Sequence, residues 1–515
     1  MALKEEVKRI LRHSSIYGIG NLLHRIPPFV LMPIYLNYLT PTDYGKKEIV
    51  ALVIEFLGII LSMGIANAMA RFYYEYDKEV DQNEVVSTII LSFAVIAGIV
   101  IGSITTQAES ISKIIIDSPS EKALILMALV SLWFNTLYHM SCNYIRIRER
   151  SILFVSISFS RLIVQVSLNI FFIVSLGWGI YGIFASTLIS SSVFATALTL
   201  PLLCKIGFKF SISKFREILK FSSPMIVSQL GASIVHLSDR YFLKVYFGLA
   251  SAGIYTLGYR LGNSINSFVQ SPFQQIWNPR KFAIHKDQNS REIYARVLTY
   301  YLFVQFIFGL IISCCAKDIL FIVGRPAYYQ AASIAPIITL SYILFGIQNH
   351  FTTGIMIKKK TGYFAYINMG NAALNLALNF ALIPPFGIWG AALATLACMT
   401  NKFVFTAWIS QKIFPIPWEL KRAVRIILAG LLAYLLSHLI RYPEVYKTYV
   451  LNYEIYKGAL RILGLRFMIY HMAVAVGVYL SIISLPGFFQ ASEIGFLKEK
   501  AKKIKNSLSF RLSST

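Results

Sequence analysis

The sequence predicts an all-α polytopic membrane protein with about 14 transmembrane helices, arranged as two parallel six-helix repeats facing a central cavity plus two C-terminal helices. Three observations predict it. Of the 515 residues, 56% are hydrophobic and only 14% charged, whereas soluble domains run at about 45–50% apolar and about 25% charged. Apolar runs of roughly 20 residues, the length that crosses about 30 Å of hydrocarbon as a helix, recur from end to end. Finally, the chain repeats itself at a constant spacing.

The spans are expected near 14–36, 48–67, 85–105, 122–142, 152–175, 179–203, 221–243, 252–272, 294–314, 331–352, 362–383, 387–411, 423–440 and 465–486. Connections between them are short, the longest being 441–464, and leave no room for a soluble domain. The first span is not read as a cleavable signal, because it lacks a small-residue cleavage site and more spans follow at once.

The repeat shows when "SSIYGIGNLLHRIPPFVLMPIYLNYLTPTDYG" (14–45) is set against "SSPMIVSQLGASIVHLSDRYFLKVYFGLASAG" (222–253). At an offset of 208, Asn21 meets Gln229, Tyr38 meets Tyr246, and Gly45 meets Gly253. The same offset aligns "GIYGIFASTL" (179–188) with "GIWGAALATL" (387–396). Six spans per unit is an even number, so the halves share one orientation, a symmetry common in transporters. The organisation follows: an N-terminal bundle over 1–204, a linker over 205–220, a second bundle over 221–415, spans 13 and 14 within 416–490, and a tail over 491–515. Linker and tail both place apolar residues at helical spacing among lysines and arginines, and read as basic amphipathic helices on the membrane surface.

The net charge of +25, from 49 Lys and Arg against 24 Asp and Glu, would suggest nucleic acid in a soluble protein. Here most of it collects in alternate connections, as in Arg146, Arg148 and Arg150 or Lys358, Lys359 and Lys360. By the positive-inside rule this pattern places both termini in the cytoplasm and serves topology, with no nucleic-acid partner. Cys142, Cys204, Cys314, Cys315 and Cys398 all fall in or beside apolar spans without metal or redox spacing, and read as small buried residues.

The charges inside the spans carry the function. A cation at the bilayer centre costs about 2.5–3.5 kcal/mol on insertion scales, so it normally faces a partner or a wet cavity. Arg25, Arg161, Arg260 and Lys402 lie well inside spans, with Glu55 the clearest buried acid. Four cations against one acid predict a positive cavity that receives an anion. Arginine's planar fork binds phosphate through two nitrogens at once, which makes a phosphate-bearing ligand the expected partner of Arg25. Asn21 and His24 share the helical face of Arg25, and Gln229 holds the equivalent place in the second half. Pro27, Pro28 and Pro33 lack amide donors, so this helix must kink or break, and such breaks persist where they line a cavity. Glu55 either pairs with an arginine or titrates as an ion-coupling group for protons or sodium. Asp239–Arg240 reads as an interfacial pair.

"GNLLHRIPPFVLMPIYLNYLTPTDYG", "ARFYYEY" (70–76), "LSDRYFLKVYFGLASAGIYTLGYRLGNSI" (237–265) and "NFALIPPFGIWGAALAT" (379–395) resemble the polysaccharide-exporter family. That family includes the Wzx-type O-antigen flippases of the multidrug/oligosaccharidyl-lipid/polysaccharide (MOP) superfamily. The resemblance covers roughly residues 10–415; Lys46–Lys47 departs from the apolar and aromatic residues usual there. It implies two six-helix bundles facing each other in a V, as in the multidrug (MATE-like) branch. The implied substrate is an oligosaccharide on polyprenyl (undecaprenyl-type) diphosphate, turned from the inner to the outer leaflet of the inner membrane and driven by a proton or sodium gradient. O-antigen, capsule or exopolysaccharide assembly would be its setting, with other polysaccharide assembly proteins as partners.

No GxxxxGK[ST] stretch offers an ATP-binding loop, and no other cofactor is expected. Three rivals remain. A MATE-like drug antiporter would need only twelve spans and acids in its cavity, whereas a lipid II-type flippase shares both the span number and the basic cavity. A membrane polysaccharide polymerase or glycosyltransferase would need catalytic residues in a large outer loop, and 441–464 offers only Glu444 and Glu454. The chain is therefore read as a transporter and not an enzyme.

Overall fold

A computed structural model describes residues 27–62, 65–360, 362–439, 450, 452–486 and 488. Asn21, His24 and Arg25, and the tail over 491–515, lie outside the described residues. Among the described residues every regular element is helical.

The first span ends in two short helices, Pro27–Val30 and Met32–Tyr38, interrupted at Leu31. Pro33 is the cause, since it cannot donate to the turn before it. Helix α1 (Pro41–Leu61) starts on a reciprocal cap. The Thr40 hydroxyl accepts from the Asp43 amide at 3.1 Å, and the Asp43 carboxylate accepts from the Thr40 amide at 3.3 Å, with Pro41 in the first turn. A short helix (Ile65–Tyr73) leads to α2 (Glu79–Thr105). The bundle is completed by α3 (Lys122–Ile147), α4 (Ser151–Ile170) and α5 (Gly179–Ile206).

The linker enters α6 (Ile212–Ile265), which Gly248 breaks into two arms at φ 81°, a conformation that favours glycine. These arms are the expected spans seven and eight, and the linker's helical turns run into the first without interruption. Lys214 anchors that start to α2, its ammonium 3.1 Å from Asp81 and 2.6 Å from Glu84. Then follow α7 (Ser271–Ala283), α8 (Ser290–Val323), α9 (Ala335–Ile357), α10 (Gly362–Phe386), α11 (Ile388–Ile413), α12 (Leu420–His438) and α13 (Tyr453–Ser484).

Among the described residues, seven helices are long and apolar enough to cross a membrane. The number rises to eight if the 3₁₀ turn Pro326–Ser333 and α9, bent by 42°, form one span. Fourteen is therefore not reached by length and apolarity. Most of the first expected span lies outside the described residues, and among the described helices α12 carries Lys421, Arg422 and Arg425 and α10 carries Asn368, Asn371, Asn375 and Asn379, which lower their apolarity.

Two apolar cores organise the molecule. One joins Leu36, Val86, Leu124, Tyr138 and Ile218; the other joins Leu243, Tyr255, Ile338, Ala391 and Ala475. They interpenetrate, since Leu257, Leu320 and Tyr328 belong to the first and Ile49 to the second. The closest approach of the two repeats is at Gly45 and Gly253, the pair that the repeat makes equivalent. A Cβ on Gly45 would lie 1.8 Å from the Leu249 carbonyl oxygen, and one on Gly253 would lie 2.8 Å from the Gly45 nitrogen. Lys244 to Asp117 (2.6 Å) and the Tyr328 hydroxyl to the Leu39 carbonyl (3.0 Å) tie the same end shut.

Candidate functional site

Helix α1 carries polar residues on two faces. One points into a cavity of about 530 Å³ inside the N-terminal bundle, walled by α1, α3, α4, α5 and Pro27–Pro28. The other meets the second repeat. The cavity face follows helical spacing along α1: Lys47, Ala51, Ile54, Glu55 and Gly58.

Arg161 of α4 lines this cavity together with Lys47 and is only 8% exposed. Its Nη2 donates to Asn135 Oδ1 at 2.7 Å, and the guanidinium lies 4.0 Å from the Tyr138 ring centroid. The geometry is that of a cation held over an aromatic face. Among the described residues its Nε makes no hydrogen bond and no carboxylate lies within ion-pair distance. A buried guanidinium donor favours an acceptor beside it, since leaving it unpaired costs about 1–3 kcal/mol. His139, Gln165, Ser131 and Ser158 add further hydrogen-bonding groups to the same wall. Glu55 also lines the cavity and is exposed to it, with no ion pair among the described residues.

Arg260 lies elsewhere. Its Nη2 donates to Glu48 Oε1 at 2.8 Å across the repeat boundary, and the Lys47 ammonium reaches the same oxygen at 2.6 Å. Glu48 is 7% exposed. The tally of four cations against one acid therefore needs correction, because Glu48 stood at the edge of an expected span and was not counted. α1 begins at Pro41, seven residues earlier than that edge, and brings both Lys47 and Glu48 inside. Lys46 beside them is bound to Glu121. The sequence did carry a signal: Thr40, Pro41 and Asp43 mark a helix start ahead of the apolar run.

The remaining candidates do not join the cavity. Lys402 sits on α11 with its ammonium 5.7 Å from the Phe345 ring centroid, and Gln229 is half-buried on the first arm of α6. Neither lines the cavity around Arg161. Asp239 and Arg240 are buried within the protein, at 1% and 8% exposed. Asp239 Oδ2 accepts from the Tyr255 hydroxyl at 2.6 Å and Thr395 at 3.1 Å, while Arg240 Nε donates to Thr256 at 3.1 Å. Among the described residues no group of three or more His, Cys, Asp or Glu forms a metal site.

The chain was compared with known proteins. A family model described as polysaccharide biosynthesis protein matches residues 10–285. The succinoglycan biosynthesis transport protein ExoT of Rhizobium meliloti (strain 1021) is 22% identical over 266 residues, 51% of this chain and 52% of that relative. The chain thus matches about half the length of that relative. Among solved structures, the lipid II flippase MurJ in an inward closed conformation is similar with a TM-score of 0.62 at 15% identity, over 92% of this chain and all of that one. An inward-facing multidrug MATE transporter of the MOP superfamily gives 0.59 at 13% identity, over 78% of this chain and 95% of the other. A MOP transporter from Pyrococcus furiosus gives 0.53 at 15% identity, over 79% of this chain and 96% of the other. These likenesses show a fold shared with solved multidrug and lipid II transporters, and the curated relative is named as a transport protein.

Proposed function

Because the chain belongs to the polysaccharide biosynthesis protein family, we propose that it is a flippase for a polyprenyl (undecaprenyl)-diphosphate-linked oligosaccharide. It carries the lipid-linked glycan from the inner to the outer leaflet of the cell membrane, with both termini cytoplasmic, for O-antigen, capsule or exopolysaccharide assembly. The observation that carries the reading is Arg161: a guanidinium buried in a cavity wall, with no carboxylate within ion-pair distance among the described residues. A diphosphate oxygen is an acceptor of the right charge for its unsatisfied nitrogen. The glycan needs the hydrogen-bonding wall of amides and hydroxyls, and the polyprenyl tail stays in the bilayer.

Movement follows from the two repeats. Contact through Gly45 and Gly253 closes one end; separation there, with approach at the other end, exposes the cavity alternately to each side. Arg25 is proposed as a second phosphate ligand beside Asn21 and His24, on the sequence argument alone. Glu55, facing the same cavity as Arg161, is proposed as the group that takes up a coupling proton or sodium ion. Its protonation state would alter the charge balance seen by the diphosphate.

The test is translocation of the lipid-linked glycan in sealed proteoliposomes by the native chain, Arg161→Gln and Arg161→Lys at equal incorporation. The expected result is at least a tenfold loss for Gln, since a charge-assisted hydrogen bond is worth about 1.5–3 kcal/mol, with partial retention for Lys. Native rates in both variants would remove Arg161 from the substrate site.

A further inference from the structure

A second cavity, of about 620 Å³, lies between the C-terminal repeat and the two helices outside the repeat. Its wall includes Lys317 of α8, Trp389 of α11, Tyr434 and His438 of α12, and His471 of α13. No residue lining it is acidic. Asp318 stands behind the wall, fully buried, with its Oδ2 2.7 Å from His471 Nδ1. That contact fixes the imidazole and leaves the Nε2 edge directed away from Asp318. The Tyr434 hydroxyl lies 3.3 Å from His438 Nε2 and holds the second ring in place.

The depth of this cavity is informative. Lys317 is six residues before the end of α8 at Val323, about 9 Å along the axis. His438 is the last residue of α12, and Trp389 the second of α11. Lys317, Trp389 and His438 thus place one side of the cavity near helix ends, where a membrane passes from hydrocarbon to headgroups and Trp and Tyr are favoured, while His471 reaches it from the middle of α13. Next to Tyr434 and His438 in sequence, Leu435 and Leu439 face outward, 60% and 72% exposed. A soluble anion has no use for such a surface, whereas acyl chains do.

We propose that this cavity is a phosphate site occupied by the headgroup of an anionic phospholipid. Lys317 and the two imidazoles face the phosphate, and the acyl chains lie along Leu435 and Leu439. A lipid held there would bridge the C-terminal repeat to α12 and α13, the pair that stands outside the twofold architecture.

The experiment uses the full chain in neutral detergent. Phosphatidylglycerol, phosphatidylcholine and inorganic phosphate are each titrated, reading Tm by intrinsic fluorescence and lipid retention by native mass spectrometry. The native chain is expected to gain Tm and retain phosphatidylglycerol, with little response to phosphatidylcholine. Lys317→Gln and His438→Gln should bind phosphatidylglycerol about tenfold more weakly, with lipid-free Tm unchanged. Lys412→Gln, near the opposite end of α11, should bind as the native chain does. Equal retention by all variants would overturn the site. An equal Tm gain from inorganic phosphate would overturn the lipid assignment and leave a soluble-anion site. If His438→Gln lowers the lipid-free Tm, Lys317→Gln alone decides.

Discussion

Lys281 on α7 lies beyond the eighth expected span and is 1% exposed, with its ammonium 3.4 Å from the Met356 sulfur. Burial pushes its pKa down to about 8. The sign follows from linkage: an unfolded lysine near 10.4 binds more protons than the folded one between about pH 8 and 10.4, so stability rises with pH across that window. Lys281→Met should therefore raise Tm at pH 7, by the equivalent of about 2 kcal/mol, and the gain should shrink toward pH 10. Thermal melts at both pH values decide it; an unchanged advantage at pH 10 would mean that charge burial is not the cause. Glu48 presents the opposite case. Removing it in Glu48→Gln strands Arg260 and Lys47, and breaking a buried pair costs about 3–5 kcal/mol. A clear drop in Tm is expected, and the double variant Glu48→Gln/Arg260→Gln should recover part of it. At this scale the sequence was partly legible. Arg161 stands out as an arginine in an apolar run, and it lines the cavity of the first bundle. Glu48 was hidden because burial at a span edge depends on where the helix begins and on which neighbour it meets, and Arg260 is far away in sequence.

The elements were more legible, because apolar runs and prolines act locally. Each expected span falls on a helix wherever residues are described, and the break near Pro33 follows from its missing donor. The contact between Gly45 and Gly253 is a tertiary event, yet its participants were visible as repeat-equivalent glycines. A side chain at either place cannot be accommodated while α1 and the second arm of α6 stay in contact. Gly45→Ala should therefore shift the protein toward states open at this end. In a background free of native cysteine, Ala252→Cys is fully buried in the closed state and should label with a polar maleimide several times faster when Gly45→Ala is added. Equal labelling rates would show that the helices adjust without parting.

On the scale of the whole molecule, the two repeats meet at one end through paired glycines, Lys244–Asp117 and the Glu48–Arg260 pair, and again at the start of α6, where Phe221 packs on Phe72 and Arg71. The cavity of Arg161 lies inside the first repeat, where the sequence led us to expect a cleft between the two. The internal repeat predicted the symmetry, but which bundle holds the cavity depends on side-chain volumes that the repeat does not share. The central claim is that translocation requires the closed end to open. Asp117→Cys and Lys244→Cys, whose native side chains touch across the boundary, can be joined by a short reducible cross-linker in a cysteine-free background. Translocation of the polyprenyl-diphosphate-linked glycan is then measured in sealed proteoliposomes before linking, after linking and after reduction. The account predicts that linking stops translocation and reduction restores it. Undiminished translocation with the link intact would contradict it.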